Sequence, residues 1–416
     1  MKKVLLTLAA VLMAVPAFAI EVYNNGSDTT VDIYGTIRGY VGYGWAEQAS
    51  NNGTETISTT TGDNMLYGLQ NNSRVGVKFK VGQFSGNVEL GANEPTLPNT
   101  GGNNVGLRQA WGAYDFGAGG KLLVGKASTP TEMGGWSSDV FDTDGGLNGF
   151  GGSPTGDRRF QVQYNIVGLQ IALVHDQNPN AAGYGFGDRS TSLTGQAYIP
   201  RLSVAYNGNH EFGSVGLKYK VGVTYTAAHG SVADATDNSR WDTIHAFKVV
   251  AGIRPTFLGG KLWLSVQGAY GQNTDIFNQA KVGSSTGAYA AGDAFNTYAL
   301  STTRYHYDAE LGSIMAEVGY KITDMFGVVV GGGYQRANFI GKSQYTTADT
   351  STGVDSYALY FQFPITVNKY LAFIPQVTWY ETVVASVEAG GVKETYTRDD
   401  NRWTGVLAGM QMRVTF

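Results

Sequence analysis

The 416-residue chain sets 29 Lys+Arg against 33 Asp+Glu, a formal net charge of −4, which speaks against a general nucleic-acid binder. It has no cysteine, so thiol chemistry and disulfide stapling are excluded and stability has to come from backbone pairing and packing. Glycine (58) and aromatics (25 Tyr, 19 Phe, 7 Trp) are abundant and proline (10) is scarce; without a Gly-X-Y period or a long helical pattern, this excludes collagen-like and disordered chains and suits a large sheet.

Residues 1–19 carry Lys2 and Lys3, an apolar stretch from Val4 to Val15, and Ala17-Phe18-Ala19. That is the pattern of a secretory signal peptide cleaved before Ile20, and it leaves 20–416 as one domain with a formal charge of −6 once the two lysines are set aside. No later apolar run reaches the length of a transmembrane helix. A membrane-spanning chain of this kind must therefore be a closed β-barrel, which alone besides the helix satisfies every backbone group in lipid.

Strict alternation then recurs along the chain. Val31 and Ile33 alternate with Asp32, Tyr34, Thr36 and Arg38, which puts Arg38 on the inner face; Val75, Val77, Phe79 and Val81 alternate with Arg74, Lys78 and Lys80. In Val215–Thr226 one parity reads Val, Leu, Tyr, Val, Val, Tyr and the other Gly, Lys, Lys, Gly, Thr, Thr, so Leu217, Tyr219, Val221 and Val223 are expected to meet lipid while Gly222 and Thr224 face water and tolerate charge. Tyr357, Leu359 and Phe361 alternate with Ala358, Tyr360 and Gln362, and Met410, Met412, Val414 and Phe416 with Gln411 and Arg413. Sixteen such segments begin near Thr30, Met65, Ser85, Asn104, Lys121, Arg158, Leu169, Arg201, Val215, Asp242, Lys261, Thr303, Phe326, Asp355, Tyr370 and Arg402. Short turns (near Gly82, Gly117–Gly120, Val167-Gly168, Phe212-Gly213, Gly259-Gly260, Thr323-Asp324, Asn368-Lys369) alternate with long polar connections (Gln48–Asp63, Ser128–Gly156, Gln177–Gly195, Gln272–Ser301, Ser386–Asp400). That segregation is expected of an all-β, transmembrane, antiparallel up-and-down barrel of sixteen strands, with short periplasmic turns and long outer loops.

The connection at 129–156 stands apart. It exceeds the roughly 12–15 residues beyond which structureless loops are uncommon and usually functional or disordered. It carries Glu132, Asp139, Asp142 and Asp144 and ends at Asp157-Arg158-Arg159, which reads as the selective element of a pore, placed between strands that carry basic residues.

Three stretches resemble the general porins of Gram-negative outer membranes. Glu21-Val22-Tyr23-Asn24 with Val31-Asp32-Ile33-Tyr34-Gly35 is similar to the start of mature enterobacterial-type porins. Pro130-Thr131-Glu132-Met133-Gly134-Gly135 resembles the Pro-Glu-Phe-Gly-Gly of the family's third loop, with one inserted residue and Met for Phe, and Phe416 matches the family's terminal aromatic. The resemblance implies a homotrimer, passive diffusion of small hydrophilic solutes and ions, contact with outer-membrane lipid and lipopolysaccharide, and recognition of Phe416 by the barrel-assembly machinery. It also implies that 129–156 is an inward-folded constriction loop, with a basic wall of Arg74, Arg108 and Arg159, Arg158 being an alternative to the last, facing Glu132 and one or more of Asp139, Asp142 and Asp144. The family's first-strand lysine corresponds to Thr36, a departure for which Arg38 is the candidate replacement. Lys78, Lys80, Lys218 and Lys220 read as solvated lumen wall. Aromatics near strand ends (Tyr40, Tyr43, Trp45, Tyr305, Tyr307, Trp379, Tyr380, Trp403) are expected in interfacial girdles or reflect plain β-propensity.

Enzymatic and cofactor readings find little purchase. Gly120-Lys121-Leu122-Leu123-Val124-Gly125-Lys126 has Ala127 where a P-loop needs a hydroxyl. Five histidines show no metal-ligand spacing, and Asp142-Thr143-Asp144 lacks the glycine and glutamate of a calcium loop. Asp308 and Glu310 share a face, yet lumen charges of that kind are ordinary in such barrels. The reading is a non-enzymatic pore without metal, cofactor or nucleic-acid partner. Its alternatives are a substrate-specific outer-membrane channel, and an adhesin or structural barrel with long surface loops.

Overall fold

The computed structural model describes residues 20–24, 26, 28–51, 56–70, 72–93, 104–140, 147, 150–152, 157–175, 199–232, 240–272, 303–343, 349–389, 392–395 and 401–416. The signal-peptide region lies outside them. Twenty strands form one sheet: β1 (Ile20–Asn24), β2 (Thr29–Asn51), β3 (Thr56–Leu69), β4 (Arg74–Val81), β5 (Phe84–Asn93), β6 (Asn104–Asp115), β7 (Lys121–Ser128), β8 (Arg158–Ile166), β9 (Leu169–Val174), β10 (Arg201–Phe212), β11 (Val215–Val232), β12 (Arg240–Phe257), β13 (Leu262–Gln272), β14 (Thr303–Lys321), β15 (Gly327–Ser343), β16 (Asp349–Gln362), β17 (Ile365–Thr366), β18 (Leu371–Ala389), β19 (Val392–Thr395) and β20 (Asn401–Thr415). Among the described residues none is in an α-helix.

The sheet closes on itself as a sixteen-stave antiparallel barrel. β3 and β4 share the stave beside β2, β16 and β17 share another, and β19 folds back on the end of β18 as a hairpin. β20 pairs with β2 from Thr36↔Thr415 to Ser50↔Asn401, and β1 continues the same stave along β2 from Ile20↔Ile33. Closure is made by Phe416: its N–H donates to Gly35 O at 3.0 Å and its carbonyl accepts from Gly35 N–H at 2.8 Å. Residue 35 must lack a side chain, because a Cβ there would run into the Phe416 ring.

The period-2 pattern becomes two faces. On β11, Val221 and Val223 are 51% and 45% exposed, whereas Thr224 and Thr226 are almost fully buried; Leu359 and Phe361 point out while Ala358 and Tyr360 point in. Turn chemistry matches the short connections, with Gly82, Gly168 and Gly213 at positive φ, where an L side chain would be strained.

Four expectations are corrected. Within Gln48–Asp63 the described residues are strand, not loop: β2 and β3 stay paired up to Asn51↔Thr56, since polar, threonine-rich strands keep their ladder without leaving an apolar signal. β16 likewise begins at Asp349, before the expected start near Asp355, and the described residues of Ser386–Asp400 belong to β18 and β19. The girdle aromatics divide: Tyr43 is exposed on the outside, whereas Tyr40, Tyr380 and Trp403 are buried; the side chains of Tyr305 and Tyr307 lie outside the described residues. Finally, the inner face of β11 is not uniformly wet, because a Cβ at Gly222 would come 2.9 Å from Ala205 Cβ and 3.1 Å from Thr131 Cγ2.

Val223→Arg is expected to cost about 2–4 kcal/mol near the midplane, and Gly222→Arg to displace Thr131 instead. Unfolding titrations in lipid vesicles check the pair; two negligible effects would speak against a lipid-facing barrel. Deleting Phe416 removes two closing hydrogen bonds, each worth about 1 kcal/mol, and should lower the yield of heat-modifiable barrel on gels. Wild-type yields would count against the seam.

Candidate functional site

The loop after β7 is tied at its base before it enters the lumen. Thr129 donates its N–H to the Asp157 carbonyl at 2.9 Å and its hydroxyl to the Asp157 carboxylate. That carboxylate also takes Arg201 Nη2 at 3.1 Å and Arg159 Nε at 3.5 Å. Burial opposes its ionisation, but Arg201, Lys248 and Thr129 outweigh it and hold the Asp157 carboxyl below its ordinary range. The stabilisation is therefore present above the ordinary value of 3.8 and is lost only as pH falls through the lower folded value.

From this clasp the chain bends inward. Glu132 N–H closes a turn on Thr129 O at 3.0 Å, and Gly135 takes φ +77°. Met133 and Trp136 bury against Val250 of β12, with Ala269 of β13 beside them. Gly252 leaves the space, since a Cβ there would lie 2.6 Å from Met133 Cε. The Trp136 carbonyl accepts from Ser265 Oγ at 2.6 Å and Arg254 Nη1 at 3.3 Å. Ser138 N–H donates at 2.6 Å to Glu317 Oε2, a carboxylate that also receives Trp263 Nε1 at 2.8 Å and the Tyr360 hydroxyl. Gln362 donates to the Asp139 carbonyl and Gln70 to that of Val140. Leu147 and Phe150 bury with Met315, Val329, Ala358 and Leu407. The loop is thus pinned in sequence order along β12, β13, β14 and β16, and then beside β3.

Opposite it stands a basic wall. Asp139 Oδ2 bridges Arg38 Nη1 at 2.7 Å and Arg413 Nη2 at 2.9 Å. Arg74 and Arg108 converge on Glu89 of β5 at 3.3 and 2.9 Å, and both donate to Asn72 Oδ1. Two backbone irregularities aim these groups. Gly39↔Leu69 and Thr36↔Arg74 enclose two residues of β2 but four of its partner, which throws Asn72 inward; a bulge between Glu89↔Gln109 and Leu90↔Leu107 turns Arg108 toward Glu89.

The sequence-predicted residues therefore separate. Arg38 and Asp139 are brought into contact; Arg74 and Arg108 lie on the wall with Glu89 between them; Arg159 is held at the loop base by Asp157. Glu132 lines the lumen, where burial pushes its carboxyl above its ordinary range against the pull of Arg158. Asp142 and Asp144 lie outside the described residues. Lys218 and Lys220 are more than solvated wall: Lys218 Nζ sits 4.9 Å over the Trp136 ring and Lys220 Nζ donates to the Glu132 carbonyl at 2.6 Å. Arg413, Glu89, Asp157 and Glu317 were not marked as site residues. Their inward parity was readable, but their partners were not: those of Arg413 and Glu317 lie many strands away in sequence, and the bulge in β5 and β6 hid the approach of Arg108 to Glu89.

Between loop and wall remains a polar cavity of about 480 Å³, reached by Arg38, Arg74, Arg158, Lys218, Lys220 and, from the loop, Glu132, Trp136 and Asp139. Its size falls within the roughly 300–1,000 Å³ of a small-molecule site.

No family model and no curated protein matches the sequence. Solved structures match in fold. The chain covers 99% of the outer membrane channel DcaP of Acinetobacter baumannii with 95% of its own length, at a TM-score of 0.57 and 14% identity. OprB of Pseudomonas putida matches over 93% of this chain and 94% of its own, at 0.51 and 13%. Salmonella typhi OmpF, solved with daunomycin, gives 0.49 and 14% over 94% of this chain.

Glu317→Ala leaves the Ser138, Trp263 and Tyr360 donors without their acceptor. The expected loss is about 1–3 kcal/mol for each donor left buried and unsatisfied, with a rise in single-channel conductance as the loop detaches. Planar-bilayer recording checks it; unchanged conductance would mean that this contact does not hold the loop.

Proposed function

We propose that the chain is an outer-membrane pore for passive diffusion of ions and small hydrophilic solutes, filtered by size and by the charged constriction. The observation that carries this reading is the loop: its described residues enter a closed barrel, are fixed to the far wall, and border a polar cavity of about 480 Å³. The barrel fold shared with DcaP and OprB supports it at the level of architecture. In this reading Arg38, Arg74 and Arg108 form the basic wall, Glu132 and Asp139 are the loop acids, and Arg159 fixes the loop from below. Assembly as a homotrimer among lipid and lipopolysaccharide, with Phe416 as the signal for the assembly machinery, belongs to the same proposal.

A substrate-specific channel of the same class is the second reading, favoured by the convergence of Arg38, Arg74, Lys218, Lys220 and Glu132 on one polar cavity. Liposome swelling separates the two. With purified full-length protein, uptake should fall smoothly with solute mass for a general pore; uptake of one solute far above others of equal size would favour the specific channel. Absence of conductance in planar bilayers would sink both.

A further inference from the structure

We propose that the passage is an anion filter, favouring small inorganic and organic anions over cations of the same size; the inference rests on the diffusion-channel reading above. Among the described residues, five cations (Arg38, Arg74, Arg158, Lys218, Lys220) line the cavity against two carboxylates, Glu132 and Asp139. Neither carboxylate offers a cation much. Asp139 already touches two guanidinium groups, from Arg38 and Arg413, and the Glu132 carboxyl is shifted toward its neutral form by burial. Behind the wall, Arg108 adds a charge of which Glu89 offsets only part, because Glu89 is shared with Arg74.

The excess is local. The chain as a whole carries −4, so a positive passage runs against its background, and a cleft lined by one sign between low-dielectric walls concentrates the opposite ion. The cations also come from two sides. Arg38 and Arg74 stand on β2 and β4, Lys218 and Lys220 on β11, so an anion meets positive charge on both flanks and stays attracted as it passes the loop. Rings of Arg and Lys give anion pores in the same way.

The test is the reversal potential of the purified full chain in a planar bilayer under a KCl gradient, with inorganic phosphate as a second probe. Chloride should be more permeant than potassium, and phosphate should reduce the chloride current from either side. The double variant K218Q/K220Q should lower the chloride-over-potassium permeability ratio by no less than about five-fold, the factor that a single unit charge exerts at 4 Å in water. The preference should weaken between about 0.1 M and 1 M salt, as the Debye length falls from about 10 Å to about 3 Å. Glu132 faces Ser128 of β7, Arg158 of β8, Asp157 at the loop base, Lys220 of β11 and Lys248 of β12. Acidification through its raised titration range should increase the chloride preference, and E132Q should remove that step. Conductance without selectivity, or with preference for potassium, overturns the anion filter and leaves the pore standing; no conductance at all overturns the pore and the filter with it. If K218Q/K220Q does not fold, R74Q replaces it, and unaltered selectivity in the folded variant counts against the proposal.

Discussion

Everything in this molecule follows from one requirement: a backbone N–H or C=O that meets hydrocarbon must find its partner inside the protein. A sheet answers this only by having no edge, so the last stave must meet the first. Here β20 meets β2, and the contact is completed by the reciprocal bonds between Gly35 and Phe416. The glycine is part of the same solution, because the aromatic ring occupies the volume its side chain would take. Once sixteen staves are closed, the inner faces enclose more space than wall side chains fill. Something else must then fix the width of the lumen.

The loop after β7 enters that space, and it is held by deeply buried contacts. Polar groups hidden from water are costly unless paired, which makes Asp157 and Glu317 strong fixing points: each gathers donors from elements far apart in sequence. Apolar contacts fill the intervals, with Met133 and Trp136 over β12 and Phe150 beside Gly333, where a Cβ would lie 2.7 Å from the ring. Missing side chains on the wall serve the loop as directly as present ones. Gly222, Gly252 and Gly333 each leave a hollow into which a loop residue fits.

How much of this was legible in the sequence depended on range. Alternation is local, so the faces of β11, β16 and β20, the sixteen segments and the short turns could be read from Val221/Thr224 or Leu359/Tyr360 alone. Lumen parity likewise pointed Arg38, Arg74 and Arg413 inward, and the composition of 129–156 singled out the loop. The pairing between them could not be read, because it depends on which residues of staves far apart in sequence face the same height. Arg159 and Asp139 illustrate the limit: both were candidates for the same constriction, yet one is bound at the base of the loop and the other spans Arg38 and Arg413. Bulges escaped for a related reason. At Arg108 the outward parity shifts by one residue between Leu107 and Ala110, a change that in sequence looks like noise.

The distribution of charge shows why a structural ion pair and a functional charge need not compete. Where a carboxylate is surrounded, as Asp157 and Glu89 are, the guanidinium groups around it are fixed in direction but partly neutralised. Where a cation contacts a carbonyl or an aromatic face, as Lys220 and Lys218 do with Glu132 and Trp136, its direction is fixed without a bonded carboxylate. Backbone carbonyls of the loop therefore position cations without a counter-charge of their own: that of Glu132 holds Lys220 and that of Trp136 holds Arg254. The loop is thus anchored in part by a cation that also lines the cavity, since Lys220 bonds the Glu132 carbonyl from the wall.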